Sequence, residues 1–468
     1  MSRMLFHSRT LFTAGLRGWL GLVLPLLLAL ALAACGGGGG SATAATSSAP
    51  AWTPPSLSLP RASLQASELA VLILQGDVLS EAIGSYYQQA RGIPAANVVR
   101  VSRSGSGDSL STSEFQTLKA AVEAQLPAGI QALLLTWTQP SRVVGSCTMS
   151  ITSAFALGFD VAYCANSCAA TRASPYYDSE SSRPQTELGL RPAMMLGATS
   201  LAAAQALVQR GLAADASYPS GEGHLLRTSD AARSVRYTDW VSLPALWSGG
   251  LTLNYRDNSS GSASNTLDNA SNVMFYFTGL AQVSGIASNS YRPGALADHL
   301  TSFGGYLPNG NGQMPVTSWL EAGLTGSYGS VAEPCNYMEK FPRVSVLLNH
   351  YFRGATLLEA YWKSVQWPGQ GLFVGEPLAR PFADQPGFSV GASQYTLQTR
   401  ALRPGGRYQL QYRASDGSWV SLQSVSGPAR AQPQTVLSPL PPSGSTGLRW
   451  QGPCPTDASQ TCTLASSD

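Results

Sequence analysis

Between residues 69 and 137 the chain switches repeatedly between two hydrophobic patterns. LAVLIL (69–74) is an unbroken apolar run, as a strand buried on both faces of a parallel sheet requires. SEAIGSYYQQARG (80–92) then places Ile83, Tyr86 and Tyr87 at helical spacing, with a serine positioned to cap the start and a glycine to end it. NVVRVS (97–102) returns to the strand pattern. Ser111 and Glu114 form the S-x-x-E signature of a capping box ahead of FQTLKAAVEAQL, and IQALLLTW (130–137) is a third apolar run. Strand, helix, strand, helix, strand in this order predicts an α/β domain built on a parallel sheet.

The pattern loosens afterwards. Residues 138–198 carry three cysteines and little periodicity, and read as loop. SLAAAQALVQRGLAAD (200–215) predicts a helix. HLLRTSDAARSVRYTDW (224–240) predicts a strand ending at Thr228, then a helix capped by Ser229 or Asp230. NVMFYFTG (272–279) has the composition of a central strand. RPGALADHLTSFGG (292–305) and SWLEAGLTGSYGSVAEP (318–334) fit helix or strand, each closed by glycine turns. GATLLEAYWKSVQWPGQGLFVGEP predicts a helix over 355–366 and a final strand that Pro377 stops. From about residue 388, YTLQTRAL, RYQLQYRA and SWVSLQSV alternate apolar and polar positions around an Asp416-Gly417 turn. That is the pattern of a small β-sandwich-like module.

The N-terminal end follows a different rule. WLGLVLPLLLALALAA (19–34) is apolar throughout and sits behind Arg3, His7, Arg9 and Arg17. A segment this short and so flanked reads as a secretory signal rather than a membrane span. Leu32-Ala33-Ala34-Cys35 resembles a bacterial lipobox. The resemblance implies cleavage before Cys35 and a lipid on its thiol, so that the membrane is a partner through that anchor. Gly36 in place of an aspartate implies the outer membrane. The expected plan is a signal peptide over 1–34, a flexible Gly/Ser/Pro tether over 35–66, an α/β domain over 67–385 and a β-rich module over 388–468.

Composition narrows the functional classes. Charged residues are only 12%, and the formal charge of +3 becomes 3 − 3 = 0 once Arg3, Arg9 and Arg17 leave with the leader. No basic patch remains that would attract nucleic acid. Lys119, Lys340 and Lys363 are the only lysines. Apart from Cys35 there are six cysteines: Cys147, Cys164, Cys168, Cys335, Cys454 and Cys462. An even number in an exported chain predicts disulfides, with Cys454 and Cys462 expected to pair because they stand close together and far from the rest. The single C-x3-C has no second pair or nearby histidine, so neither a metal nor a cofactor is expected.

Candidate chemistry is sparse. There is no H-E-x-x-H, no P-loop and no dinucleotide fingerprint. His299 and Cys335 could form an imidazole–thiol pair, the minimal cysteine nucleophile with its base. The competing expectation is that Cys335 is oxidised and His299 packs. Asp160, Glu333, Glu359 and Glu376 stand in apolar or glycine-rich surroundings. They could supply a hydrolytic carboxylate pair, or serve as buried partners for Arg227, Arg233, Arg236, Arg353 or Arg380. Trp362 and Trp367 read as packing residues.

Several long stretches resemble an uncharacterised family of exported proteins from bacteria that carry exosortase, a membrane sorting enzyme. They are LQGDVLSEAIGSYYQQARGIPAANVVRV, SCTMSITSAFALGFDVAYC, HLLRTSDAARSVR, RPGALADHLTSFGG, WLEAGLTGSYGSVAEPC and GATLLEAYWKSVQWPGQGLFVGEPLARPF, in that order over roughly residues 68–383. The closing pattern is also similar to the end of gingipain-type peptidase domains, which implies a caspase-like α/β fold. In that group a His-Gly follows one central strand and a catalytic cysteine the next. Here Thr278-Gly279 stands in the first place and Ser302-Phe303 near the second. The resemblance therefore implies an envelope lipoprotein whose peptidase-like domain is non-catalytic, with an envelope protein or polysaccharide as partner. The alternatives are a divergent hydrolase and a surface-binding module.

The lipid anchor has a direct test. Replacing Cys35 by serine is expected to move the protein from the membrane to the soluble fraction on cell fractionation; retention in the membrane would refute the anchor.

Overall fold

The computed structural model describes residues 52–58, 61–103, 105–246, 251–429 and 432–454. The leader, Cys35 and Cys462 lie outside the described residues. The main feature is a ten-stranded sheet. Its strands are β1 (Leu69–Leu74), β2 (Val98–Val101), β3 (Ala132–Leu135), β4 (Ala193–Met195), β5 (Gly221–Arg227), β6 (Leu251–Asp257), β7 (Val273–Thr278), β8 (Tyr291–His299), β9 (Gly326–Ser330) and β10 (Gly371–Gly375). They lie in the order β6-β5-β7-β8-β9-β10-β4-β3-β1-β2. Every pairing is parallel except one, β9 with β10.

That one antiparallel seam divides the sheet into two parallel halves running in opposite directions. Each half has the same internal order: β2-β1-β3-β4-β10 on one side and β6-β5-β7-β8-β9 on the other. In doubly wound folds of this order the chain reverses its direction of travel between the first and third strands, β1/β3 and β5/β7 here. The fifth strand of the first half, β10, comes last along the chain, after the second half is complete. It is held in register across five pairs, from Gly326–Gly375 to Ser330–Gly371.

Both faces of the central sheet are covered, since every residue of β1, β7, β9 and β10 is buried. Helix α1 (Val78–Arg91) is capped by Asp77, whose carboxylate accepts from Ser80 N, and ends at Gly92 in the left-handed conformation. Helix α2 (Thr112–Glu123) starts with the Ser111–Glu114 capping box expected from sequence. Helix α3 (Leu201–Ala214) is capped by Ser200. Helices α4 (Val344–Phe352) and α5 (Leu357–Ser364) pack as a pair over the seam, with every residue of α5 buried. Trp362 of α5 stacks on Phe373 of β10, ring centroids 4.3 Å apart, and its indole N–H donates to Ala193 O of β4.

The β-rich module holds two sheets. One joins Gly387–Val390, Gln394–Thr399 and Gln434–Pro439; the other joins Arg407–Arg413, Trp419–Ser426 and Gly447–Cys454. Tyr395, Leu397 and Val436 from the first meet Tyr408, Leu410, Val425, Leu448 and Trp450 from the second in one apolar cluster. Leu57 and Ser58 add to the second sheet, parallel to Leu448 and Arg449. This part of the segment expected to be a flexible tether is therefore packed, and Leu64 is buried as well.

Three other expectations change. Ser80 does not cap α1; its hydroxyl turns back to the sheet and accepts from Leu74 N. No helix starts at Ser229 or Asp230. Asp230 caps a turn by accepting from Arg233 N, and Ser234 bonds the end of β5, leaving only a short turn of helix over Tyr237–Trp240. The segment 138–198 is more ordered than its composition indicates: it holds β4, a short helix, Ile151–Leu157, and the strands Arg142–Val144 and Thr148–Ser150, which form a small sheet with Ser109–Ser111. No helix among the described residues is long and apolar enough to cross a membrane.

Trp362→Ala removes a fully buried ring from the seam and leaves a cavity against Phe373. It is expected to cost about 3–5 kcal/mol in urea-unfolding experiments. A loss under about 1 kcal/mol would mean the seam does not depend on this contact.

Candidate functional site

Open α/β sheets place their sites beyond the carboxyl ends of the strands, at the points where strand order reverses. Each half of this sheet has such a point, and each is closed by a hydroxyl pair. In the first half, Ser80 Oγ lies 2.6 Å from Thr136 Oγ1, which donates to Leu72 O, while Ser80 also accepts from Leu74 N. In the second, Thr228 Oγ1 donates to Gly279 O and lies 2.9 Å from Ser234 Oγ, which accepts from Thr228 N. Gly279 is required here because a Cβ would overlap the Arg233 carbonyl. The loop TSDAARSVR is thus laid directly over the end of β7.

Beside this plug, Arg236 enters the interior. Its Nη2 donates to Thr278 O, and Nη1 lies 2.6 Å from Asp298 Oδ1 at the end of β8. Both side chains are essentially buried. Burial raises the Asp298 carboxyl to about 6, against the pull of the guanidinium. Above them is a cavity of about 30 Å³ lined by Arg236, Asp239, Phe341 and Arg343 among others. At about 10–15 Å³ per water that space holds two or three waters.

The two residues expected to form a dyad are used elsewhere. His299 closes β8 and is completely buried. Trp319 Nε1–H donates to its Nδ1, so the ring proton is on Nε2 and donates to Met314 O. Both nitrogens are satisfied in the neutral form, and burial pushes the imidazole down to about 3. Cys335 is bonded to Cys168, and Cys147 to Cys164. A thiolate nucleophile at Cys335 is therefore corrected to a disulfide that ties the 164–168 loop to the segment after β9. Cys454 is also disulfide-bonded, while Cys462 lies outside the described residues. Two disulfides of this kind fit an exported protein. Among the described residues no cluster of His, Cys, Asp and Glu could hold a metal.

The four singled-out carboxylates do not share a hydrogen-bond partner among the described residues. Asp160 accepts from Ala162 N and pairs with Arg172 at 2.9 Å. Glu333 is exposed and accepts from Cys335 N. Glu359 takes no arginine; its Oε2 completes a capping box with Thr356 at the start of α5 and accepts from Leu64 N. Glu376 does pair with an arginine, Arg91, and accepts from Tyr87 OH. Four of the five arginines named from sequence go to other acids: Arg227 to Asp257, Arg233 to Asp230, Arg236 to Asp298 and Arg353 to Glu180, while Arg380 Nη1 donates to Ser63 Oγ. A hydrolytic carboxylate pair is not assembled from these residues.

Sequence reasoning missed the largest ionic cluster. His350 Nε2–H donates to Asp178 at 2.9 Å, and Arg353 donates to His350 Nδ1 and, through both Nη groups, to Glu180. Arg403 of the β-rich module reaches both Asp178 and Glu180. Burial pushes His350 down to about 4, while Arg353 and its neighbours hold Glu180 well below the usual carboxylate range despite its burial. The two acids lie in PYYDSESSRPQTE, which has no periodicity to mark it, and their partners are over 170 positions away. Comparison with protein-family models, curated proteins and solved structures found no match to this chain.

His299 and His350 both have folded pKa values below the free-histidine value of about 6.5. The unfolded chain therefore takes up protons that the folded chain does not. The stability they support is complete above that value and is lost progressively as pH falls from it toward the folded values of about 4 and 3. The urea midpoint is expected to drop between about pH 7 and pH 5, with both rings remaining neutral by imidazole nitrogen NMR. A folded-state midpoint near 6.5 for either ring would contradict the buried geometry.

Proposed function

We propose that this chain is a lipid-anchored envelope protein whose α/β domain is related to the caspase/gingipain-like peptidases but acts without hydrolysis. Its role is then to bind or scaffold an envelope protein or polysaccharide in an exosortase-linked sorting system. The observation that carries this reading is the fate of the residues a peptidase would use. The strand end where His-Gly would stand carries Thr278-Gly279, sealed by the Arg233–Ser234 backbone. The histidine that is present nearby, His299, is locked between Trp319 and Met314. The candidate cysteine is oxidised. A nucleophile must reach a base and a substrate in an accessible space, and none of these groups does. Export is supported by the disulfides, and the outer membrane is the destination that Gly36 after Cys35 implies.

The test is a peptide-library digest by the purified mature protein, run with and without reductant so that the Cys168–Cys335 bond is opened in one arm. No cleavage is expected in either. Cleavage that disappears in Cys335→Ala or His299→Ala would overturn the non-hydrolytic reading.

A further inference from the structure

A cavity of about 90 Å³ lies where α5 and the segment around Glu180 meet the β-rich module. Lys363, in the last turn of α5, lines it and is 3% exposed. No hydrogen bond or ion pair reaches its amine among the described residues; the nearest marked contact is the Tyr176 ring, 5.2 Å away. Burial lowers its pKa, with Glu359 and Glu180 compensating only from a distance. A buried ammonium without a counter-ion at contact distance is costly, and such groups are normally paired.

The other charges around the cavity are already engaged. Arg353 uses its Nε on Asn349 and its Nη groups on Glu180, Ala401 O and His350. Glu180 accepts from Arg353 and Arg403. Asp384 accepts from Thr399 Oγ1 and Arg400 N. Arg61 gives its Nη groups to Glu68 and Ser182 O, while its Nε has no acceptor. Tyr408 accepts from Arg403 N, which leaves its own proton to donate. The groups with unused capacity are donors: Lys363 Nζ, Arg61 Nε and Tyr408 OH.

We propose that this cavity binds a single carboxylate group, with Lys363 as its counter-ion. Charge favours a carboxylate over a phosphate, because one cation is uncompensated and Glu180 and Asp384 share the lining, where a dianion would be repelled. Volume agrees: at about 10–15 Å³ per water, the space takes a group of carboxylate size with a few waters. The cavity is partly open, so a larger molecule could insert only its acidic end. This site is separate from the strand ends and goes beyond the non-hydrolytic reading above; it would stand if that reading failed.

With only three lysines in the chain, lysine side-chain NMR reads the site directly. The mature protein labelled at lysine Cε would be titrated with acetate, glucuronate and phosphate at constant ionic strength and pH. One of three signals is expected to shift saturably with acetate, and in a separate pH titration with acetate bound its pKa is expected to rise as the anion stabilises the ammonium. Lys363→Met should remove that signal and weaken acetate binding about tenfold or more. Should that variant not fold, Lys119→Arg and Lys340→Arg assign the shifting signal by elimination. Tighter glucuronate would place the carboxylate on a larger ligand, and equal affinity would indicate a free small acid. No shift with either carboxylate, tighter binding of phosphate, or a shift that belongs to Lys119 or Lys340 would overturn the proposal.

Discussion

The antiparallel pairing of β9 with β10 is the contact on which the rest of the sheet depends. Without it there are two parallel half-sheets, one of them lacking its fifth strand. The strand that closes the first half is made from residues 371–375, more than 170 positions after β4, its parallel neighbour. Joining those positions costs chain entropy before any contact is gained. The return comes from burial: all of α5 and β10 are buried, and across the seam Trp362 stacks on Phe373, which Tyr328 meets edge-to-face. Tyr361 adds hydrogen bonds to Ala297 O and Gly326 O on β8 and β9. The final helix and strand are therefore a clamp between the halves, which explains the density of aromatic and small residues there.

The same demand for complete burial shapes the strand ends. A backbone or side-chain polar group sealed from water must find a partner inside. At both reversal points the partner is a serine hydroxyl brought back onto the neighbouring threonine. That solution uses the space in which a ligand would sit. Arg236 and Asp298 continue it in the second half, neutralising one another beside a space that holds only a few waters. A buried pair of this kind is held by mutual dependence rather than by large net stability.

The connection to the β-rich module has a different character. It includes ion pairs, in which Arg403 reaches Asp178 and Glu180 beside a His350 kept neutral between an arginine donor and an aspartate acceptor. The packing of Arg400 over Phe352 and Tyr218 adds cation–π contacts to the same boundary. Ionic contacts are directional, so they fix how the two surfaces meet, and they leave irregular space between them. The cavity beside Lys363 is a consequence of that geometry.

Local order was legible in the residues because it depends on near neighbours. The apolar runs at 69–74, 132–135 and 273–278, the capping box at Ser111 and Glu114, the left-handed Gly92 and the helix starting after Thr356 all follow from side chains within a few positions. The α/β class and the alternating strands after residue 388 follow from the same short-range rules, and the even cysteine count already indicated oxidation. Four features lay beyond that reach. The insertion of β10 between β9 and β4, the pairing of Cys168 with Cys335, the capture of His299 by Trp319 and the isolation of Lys363 each depend on residues distant in the chain. Their partners are selected by which surfaces meet once the sheet closes. The sequence by itself determined most of the local elements and pointed to an oxidising location; tertiary packing decided which polar groups were consumed by the fold and which, Lys363 among them, were left without a close partner.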